Sequence, residues 1–265
     1  MKFAVIMPVY NAERFLKRAL DCVLPRREVL VFAVDDGSTD FSPSILREYA
    51  ARFPELHVIS LANSGVSAAR NAGLSAVLDD PSISHVMFLD ADDEFDSSVF
   101  ERLRSVIPEH PDSIIEFDFL SVDENGRVLR RFTSEGNNIW CRAFPRAVIG
   151  DIRFFTRANV AEDIAFNLEI AHRRKAPLVH LDEALYRYTD NPASAMNRRF
   201  TAADFSRRSA LIDYLIGVYS DSPAALDRFS RTDLPDLLKQ FYRQLRRTAP
   251  TEAPEARRLF AATLR

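Results

Sequence analysis

Short, unbroken apolar runs alternate with segments of helical period through roughly the first 120 residues, and this alternation leaves few folds open. The runs are residues 3–7, 29–34, 56–61, 86–89 and 113–122. Between them, residues 12–24 carry a 3.6-period stripe of Phe15, Leu16, Ala19, Leu20 and Val23. Residues 42–53, 64–78 and 97–107 read as helices too, the first of them opened by Ser42-Pro43. Continuous apolar runs belong to strands covered on both faces. The pattern predicts an α/β fold: a Rossmann-like, mostly parallel sheet sandwiched by helices. Right-handed crossovers put the C-terminal ends of the forward strands on one edge, where open α/β sheets bind ligands. Asp35 and Asp36 follow the second run, and Asp90 and Asp92 follow the fourth. These four carboxylates are therefore expected to converge on one cleft.

Beyond residue 123 the pattern changes. Asp123-Glu124-Asn125-Gly126 predicts a hairpin turn between residues 115–122 and 128–133. Residues 140–149 and 159–173 read as helices and 178–181 as a short strand. Residues 202–219, 234–247 and 254–264 read as helices of a C-terminal extension. The organisation is then 1–122, 123–198 and 199–265.

Composition excludes several classes. A net charge of −3 over 265 residues advertises no nucleic-acid partner. Two cysteines, Cys22 and Cys141, make no disulfide framework and fit reduced thiols of a cytoplasmic protein. The N-terminal segment reads as a first strand rather than a signal peptide, and no run approaches the ~20 apolar residues of a spanning helix. None of the seven glycines forms Gly-X-Gly, and no Gly-Lys-Ser/Thr or Gly-X-Ser-X-Gly occurs. A nucleotide bound here would have its diphosphate neutralised by metal and side chains.

Asp90-Ala91-Asp92 after a buried strand offers hard oxygen ligands for Mg²⁺ or Mn²⁺, with coordination sites left for a diphosphate. Its competing reading is a helix cap, with Asp96 or Ser97 also placed to cap. Asp35 to Asp40 reads either as a base-binding strand end, Gly37 giving the sharp turn, or as a capped turn. His172 and His180 read as surface or packing residues.

These motifs together resemble family 2 glycosyltransferases of the GT-A fold. Residues 6–11 (IMPVYN), 34–40 (VDDGSTD), 63–73 (NSGVSAARNAG) and 88–93 (FLDADD) are similar to the family's opening, base-binding, helical and metal segments. Glu162-Asp163 resembles its catalytic acidic pair. The likeness is strong through residue 95, weaker over 140–195 and absent beyond about 200. It implies an inverting transfer from a nucleotide-diphosphate sugar, a UDP-hexose or UDP-N-acetylhexosamine, to a hydroxyl of a glycan, lipid-linked or protein-linked acceptor. Residues 1–122 would bind the donor and 123–198 would face the acceptor.

The resemblance also implies roles. Asp36 meets the base, with Pro8 and Tyr10 in the same pocket. Arg70 approaches the nucleotide or diphosphate, and Ala91 lies on the donor side. Asp90 faces ribose and metal, and Asp92 ligates the metal. Asp163 is the base, with ordinary carboxylate acidity sufficing because the hydroxyl gives up its proton late; an exposed helix-start acid beside Glu162 is the competing reading. Inversion places base and leaving group on opposite faces of an oxocarbenium-like sugar. Glu162 and Trp140 fall on the acceptor side, Trp140 as a sugar-stacking floor or as a half-buried core residue. Residues 185–188 with Ser194 resemble a further family segment. There Arg187 is a phosphate partner, or Tyr186 and Tyr188 are core aromatics.

The stripe of Leu234, Leu237, Leu238, Phe241 and Leu245, with Arg243, Arg246 and Arg247, fits a helix on an anionic membrane, on the domain itself or on a twin subunit. Localisation follows as cytoplasmic, at the inner face of the membrane where the acceptor is lipid-linked. Two rivals stand beside the transferase. A sugar nucleotidyltransferase would carry a Gly-rich first loop where Pro8-Val9-Tyr10-Asn11 stands. A non-catalytic nucleotide-sugar-binding subunit would not need Asp90, Asp92 and Asp163 intact.

Overall fold

The computed structural model describes residues 1–24, 26–134, 138–157, 161–191 and 202–248, with the backbone alone at 202–206, 240 and 242–248. The first apolar run is β1 (Lys2–Val9), the middle of a parallel group. It pairs on one side with β2 (Val29–Asp35), which pairs with β3 (Leu56–Ser60), and on the other with β4 (Ile83–Phe88). The helices α1 (Leu16–Asp21), α2 (Ser42–Ala50), α3 (Val66–Leu78) and α4 (Val99–Val106) form the crossovers.

The period of two in β1 explains why its run is unbroken. Phe3, Val5, Met7 and Val9 join one core cluster with residues of α1, α2 and α4, while Ala4 and Ile6 join a second with Leu74 and Val77 of α3. Helix α3 lies so close to β1 that a Cβ on Gly73 would stand 2.5 Å from Ile6 Cγ2. Glycine in that helix interior is a packing requirement.

The sheet has the order β3-β2-β1-β4-β8-β6-β9-β5, with β7 on β6. Here the structure departs from several expectations. Residues 140–149, expected as one helix, form strand β8 (Arg142–Pro145) and a single turn, α5 (Arg146–Ile149). All four residues of β8 are buried, because it is inserted antiparallel between β4 and β6 (Ile114–Val122), and this packing overrides the helical pattern. The short strand expected at 178–181 continues as β9 (Leu178–Thr189), held in parallel by β6 along its whole length. A two-residue strand, β5 (Glu94–Phe95), closes the far edge against β9. The expected hairpin forms, with β7 (Val128–Phe132) returning along β6.

Helix α6 (Glu162–Arg174) packs Phe166 and Ile170 into the second cluster. The extension contains α7 (Ala202–Tyr219), α8 (Pro223–Arg231) and α9 (Asp233–Thr248). Helix α8 was not expected; Ser222 caps it by accepting the Ala225 N–H, and Pro223 opens it. Leu234, Leu237, Leu238 and Phe241 of α9 are buried with Leu211, Ile212 and Leu215 of α7 and Ala165 of α6. Leu234, Leu237, Leu238 and Phe241 thus face the protein's own core, the packing on the domain itself that was one of the three alternatives for this stripe. The helix expected over 254–264 lies outside the described residues, as does Ser194. Among the described residues, no helix is long and apolar enough to cross a membrane.

Candidate active site

Strands β2, β1 and β4 are neighbours and parallel, so Asp35, Val9 and Phe88 end on one rim. Asp36 leaves β2 with its N–H donating to Val9 O at 2.8 Å. Its carboxylate accepts the N–H groups of Ser64 (2.6 Å) and Gly65 (2.7 Å) and so caps the start of α3. Each oxygen keeps a further lone pair, and capping and base recognition are compatible. The turn between them needs Gly37, whose φ is +75° and whose Cβ would stand 2.9 Å from Asn63 N. Tyr10 stands half-exposed on the rim, its hydroxyl accepting from Asn63 Nδ2 at 3.3 Å, and Pro8 is half-buried beneath it.

Asp90 and Asp92 follow β4, and neither caps a helix. Asp96 takes that local duty, accepting from the N–H and hydroxyl of Ser98. The methyl of Ala91 packs into the core. Burial, then the charge of Asp90, holds the Asp92 carboxyl above its ordinary range, against a 3.2 Å hydrogen bond from Asn191 Nδ2. The third carboxylate, Asp93, turns inward. It accepts from Tyr186 Oη and from the Thr189 N–H, both at 2.7 Å, and so fastens the loop to β9.

Arg70 joins the two halves of the site. Its side chain is buried, with Nη2 donating to Asp90 Oδ1 at 2.9 Å and Nη1 to Glu162 Oε1 at 2.7 Å. The guanidinium lies 5.5 Å from the centre of the Phe154 ring. Burial works against its charge, but Asp90, Glu162 and Asp163 outweigh burial and hold its proton more firmly. Arg70 thus engages two carboxylates at once, and Glu162 turns onto Arg70.

Asp163 is the next residue, in the first turn of α6, half-buried, with Oδ1 accepting the Ile164 N–H at 2.8 Å. Burial, then the neighbouring Glu162 charge, pushes its pKa up to about 7, against the pull of Arg70. Ala161, just before, adopts φ 64° and ψ 19°, a left-handed conformation that costs an alanine about 1 kcal/mol. The surrounding packing holds that strain exactly where α6 begins to present its two acids.

Because β8 runs against β4, its first residue lies at the rim where β4 ends. Trp140 therefore sits beside the aspartate loop. It stacks on Tyr186 (4.6 Å) and Tyr188 (5.8 Å) and meets Phe119 edge-on (4.8 Å). It is half-buried, so both its readings describe its position. Arg187 donates to Gly126 O at 2.8 Å and has no carboxylate partner among the described residues.

Sequence reasoning missed Arg18. From α1 it ion-pairs with Glu94 (2.8 Å) and donates to Asp92 O, Thr189 Oγ1 and Glu124 O. Nothing distinguished it from other arginines on the polar face of a helix. Among the described residues, no three His, Cys, Asp or Glu side chains come together as a metal site by themselves. A cation on Asp90 and Asp92 would take its other ligands from outside the protein. A concavity of about 520 Å³, lined by Glu169, Arg173, Tyr214 and Gly217 among others, lies between α6 and α7 and includes none of these acids.

Residues 4–162 match the family model described as Glycosyl transferase family 2. The chain is 30% identical over 217 residues to the uncharacterized glycosyltransferase EpsJ of Bacillus subtilis, a match covering 72% of this chain and 62% of that protein. It is also 30% identical over 220 residues to the minor teichoic acid biosynthesis protein GgaB of the same organism, covering 73% of this chain and 24% of that one. It thus spans less than two thirds of the length of either relative. The crystal structure of S. aureus TarS residues 1–349 in complex with UDP-GlcNAc matches with a TM-score of 0.65 at 20% identity, over 94% of this chain and 82% of that one. The same protein in complex with UDP matches with a TM-score of 0.61. The shared architecture is the expected α/β fold of GT-A type.

Proposed function

The chain belongs to glycosyl transferase family 2, and on that footing we propose that it is a metal-dependent, inverting hexosyltransferase. It moves a sugar from a UDP-hexose or UDP-N-acetylhexosamine to a hydroxyl on a glycan, lipid-linked or protein-linked acceptor. The observation that carries this reading is Arg70 bridging Asp90 to Glu162, which holds Asp163 close to the aspartate loop. The UDP-GlcNAc complex of TarS and the naming of GgaB for teichoic acid biosynthesis support the choice of donor and a role in surface polysaccharide.

In this reading the base lies between Tyr10 and the Asp36 turn. Asp163 takes the proton of the attacking hydroxyl, and burial with the neighbouring Glu162 charge, by raising its pKa, makes it a stronger base than an exposed carboxylate. Arg70 is a positioning residue that fixes α6 against the loop after β4. Trp140 offers an aromatic face on the acceptor side, and Arg187 is a cation without an acid partner among the described residues.

Asp90 and Asp92 fit Mn²⁺ or Mg²⁺ by their chemistry: two hard-oxygen donors, Asp92 raised in pKa by burial and then by the charge of Asp90. When bound, such a cation supplies positive charge to the departing diphosphate.

The test is Asp163→Asn, read by UDP binding and by transfer. Retained UDP binding with transfer reduced roughly 10²–10⁴-fold is expected; unchanged transfer would remove Asp163 as base. A thermal-shift panel of UDP, GDP, CDP and dTDP sugars with and without Mn²⁺ tests the donor. Stabilisation by UDP-sugars that ignores Mn²⁺ would refute the metal.

A further inference from the structure

We infer that the β6–β7 hairpin is a membrane-docking element that seats the protein on anionic phospholipid headgroups. This goes beyond the transferase reading and does not depend on it.

Among the described residues, β7 pairs with β6 alone, so its outer edge is open. Val128 is 50% and Leu129 53% exposed, the one sequence-adjacent pair among the exposed large hydrophobic residues described. Both faces of β7 are open: Val128, Leu129, Arg130 and Arg131 are all exposed, so the two consecutive apolar side chains stand in solvent.

The charges around the pair sort themselves. Arg131 is held by Asp118 and Asp182, and Glu124 by Arg14. The Asp123 carboxylate accepts the N–H groups of Asn125 and Arg127 within the turn. Arg127 and Arg130 are exposed and meet no carboxylate among the described residues, Arg130 lying over the Phe132 ring at 4.7 Å. Two unpaired cations bracketing two solvent-exposed aliphatic residues suit an interface that is anionic at its surface and apolar just beneath. Leu234, Leu237, Leu238 and Phe241 of α9 do not serve this purpose, since they are buried.

The hairpin is also tied to the candidate active site. Arg18 donates to Glu124 O at 3.0 Å and to Asp92 O at 3.3 Å, and Arg187 donates to Gly126 O at 2.8 Å. A hairpin resting on headgroups would thereby set the height of the cleft above the lipid.

The experiment is co-sedimentation of the full chain with vesicles of phosphatidylglycerol and phosphatidylcholine in equal parts, against phosphatidylcholine alone. Binding to the anionic vesicles, weakening as salt rises, is expected. A variant carrying Arg127→Gln, Val128→Ser, Leu129→Ser and Arg130→Gln should lose roughly tenfold or more of that affinity. All four positions are exposed, so the fold should persist, and UDP binding by the variant should match the parent. Failure of the parent to sediment with anionic vesicles would overturn the assignment. So would undiminished binding by the variant. Neither result bears on sugar transfer, which is measured without vesicles.

Discussion

Glu162→Gln should move the acid limb of the activity–pH profile to lower pH. Asp163 titrates near 7 because it is buried, then because Glu162 stands beside it, with Arg70 opposing both. Glutamine removes the like charge and still offers Arg70 an acceptor oxygen. Arg70, left with one fewer carboxylate, then pulls harder on Asp163, so both effects act in the same direction. A neighbouring unit charge at an effective dielectric of about 20 is worth about 2 kcal/mol, or roughly one to two pH units. A limb that falls from about 7 to about 5.5 raises the ionised fraction at pH 6 from about 10% to about 75%. The assay is kcat/KM against pH for transfer, or for slow hydrolysis of the donor with UDP release, each normalised to its plateau. A limb that stays in place or rises would refute the electrostatic account. Stability gives a second readout. The folded protein holds a proton on Asp163 that the unfolded chain releases near 3.8, so stability falls as pH rises from about 4 to about 7. The total is at most about 4 kcal/mol, and Glu162→Gln should shrink it.

Four further outcomes follow from the packing. His85 is buried without a partner for either ring nitrogen, and burial lowers its pKa to about 4. Its neutral form contributes stability that is full above pH 6.5 and is lost as pH falls toward 4, about 3 kcal/mol in all. His85→Met should flatten that part of a melting-temperature profile, and an unchanged slope would refute the assignment. Gly73→Ala should cost about 1–3 kcal/mol in a denaturant titration, because Ile6 occupies the space. Gly217→Ala in α7, where nothing lies within 4 Å, should instead stabilise by about 0.5–1 kcal/mol. Arg70→Met leaves Asp90 and Glu162 facing a neutral side chain and should destabilise by about 3–5 kcal/mol; a loss below 1 kcal/mol would mean that the bridge does not join the halves.

The parallel half of the fold was legible because its strands are buried on both faces and end in runs of aspartate. Position along a strand sufficed to bring Asp36 and Asp90 to one rim. The second half was less legible for a physical reason. Strand β8 is four residues long and owes its conformation to the neighbours on either side, which local spacing cannot register. The ends of β9 were obscured by Asp182 and Glu183, acids that interrupt an apolar run yet lie within the strand. At the site, the residue types were readable but their partners were not. Arg70 was visible as a cation in a motif, whereas its commitment to Glu162 spans 92 positions of sequence. Arg18 carried no signal, since its importance lies in four contacts scattered from residue 92 to residue 189.

The guanidinium shut between Asp90 and Glu162 makes the order of assembly matter. A nascent chain that has completed β4 already holds Arg70 and Asp90, but the acid that completes the trio emerges about 70 residues later. Until α6 docks, that cation has one partner and Asp163 has no place beside it. The candidate base therefore falls into position in the same event that locks α6 onto the parallel half of the sheet.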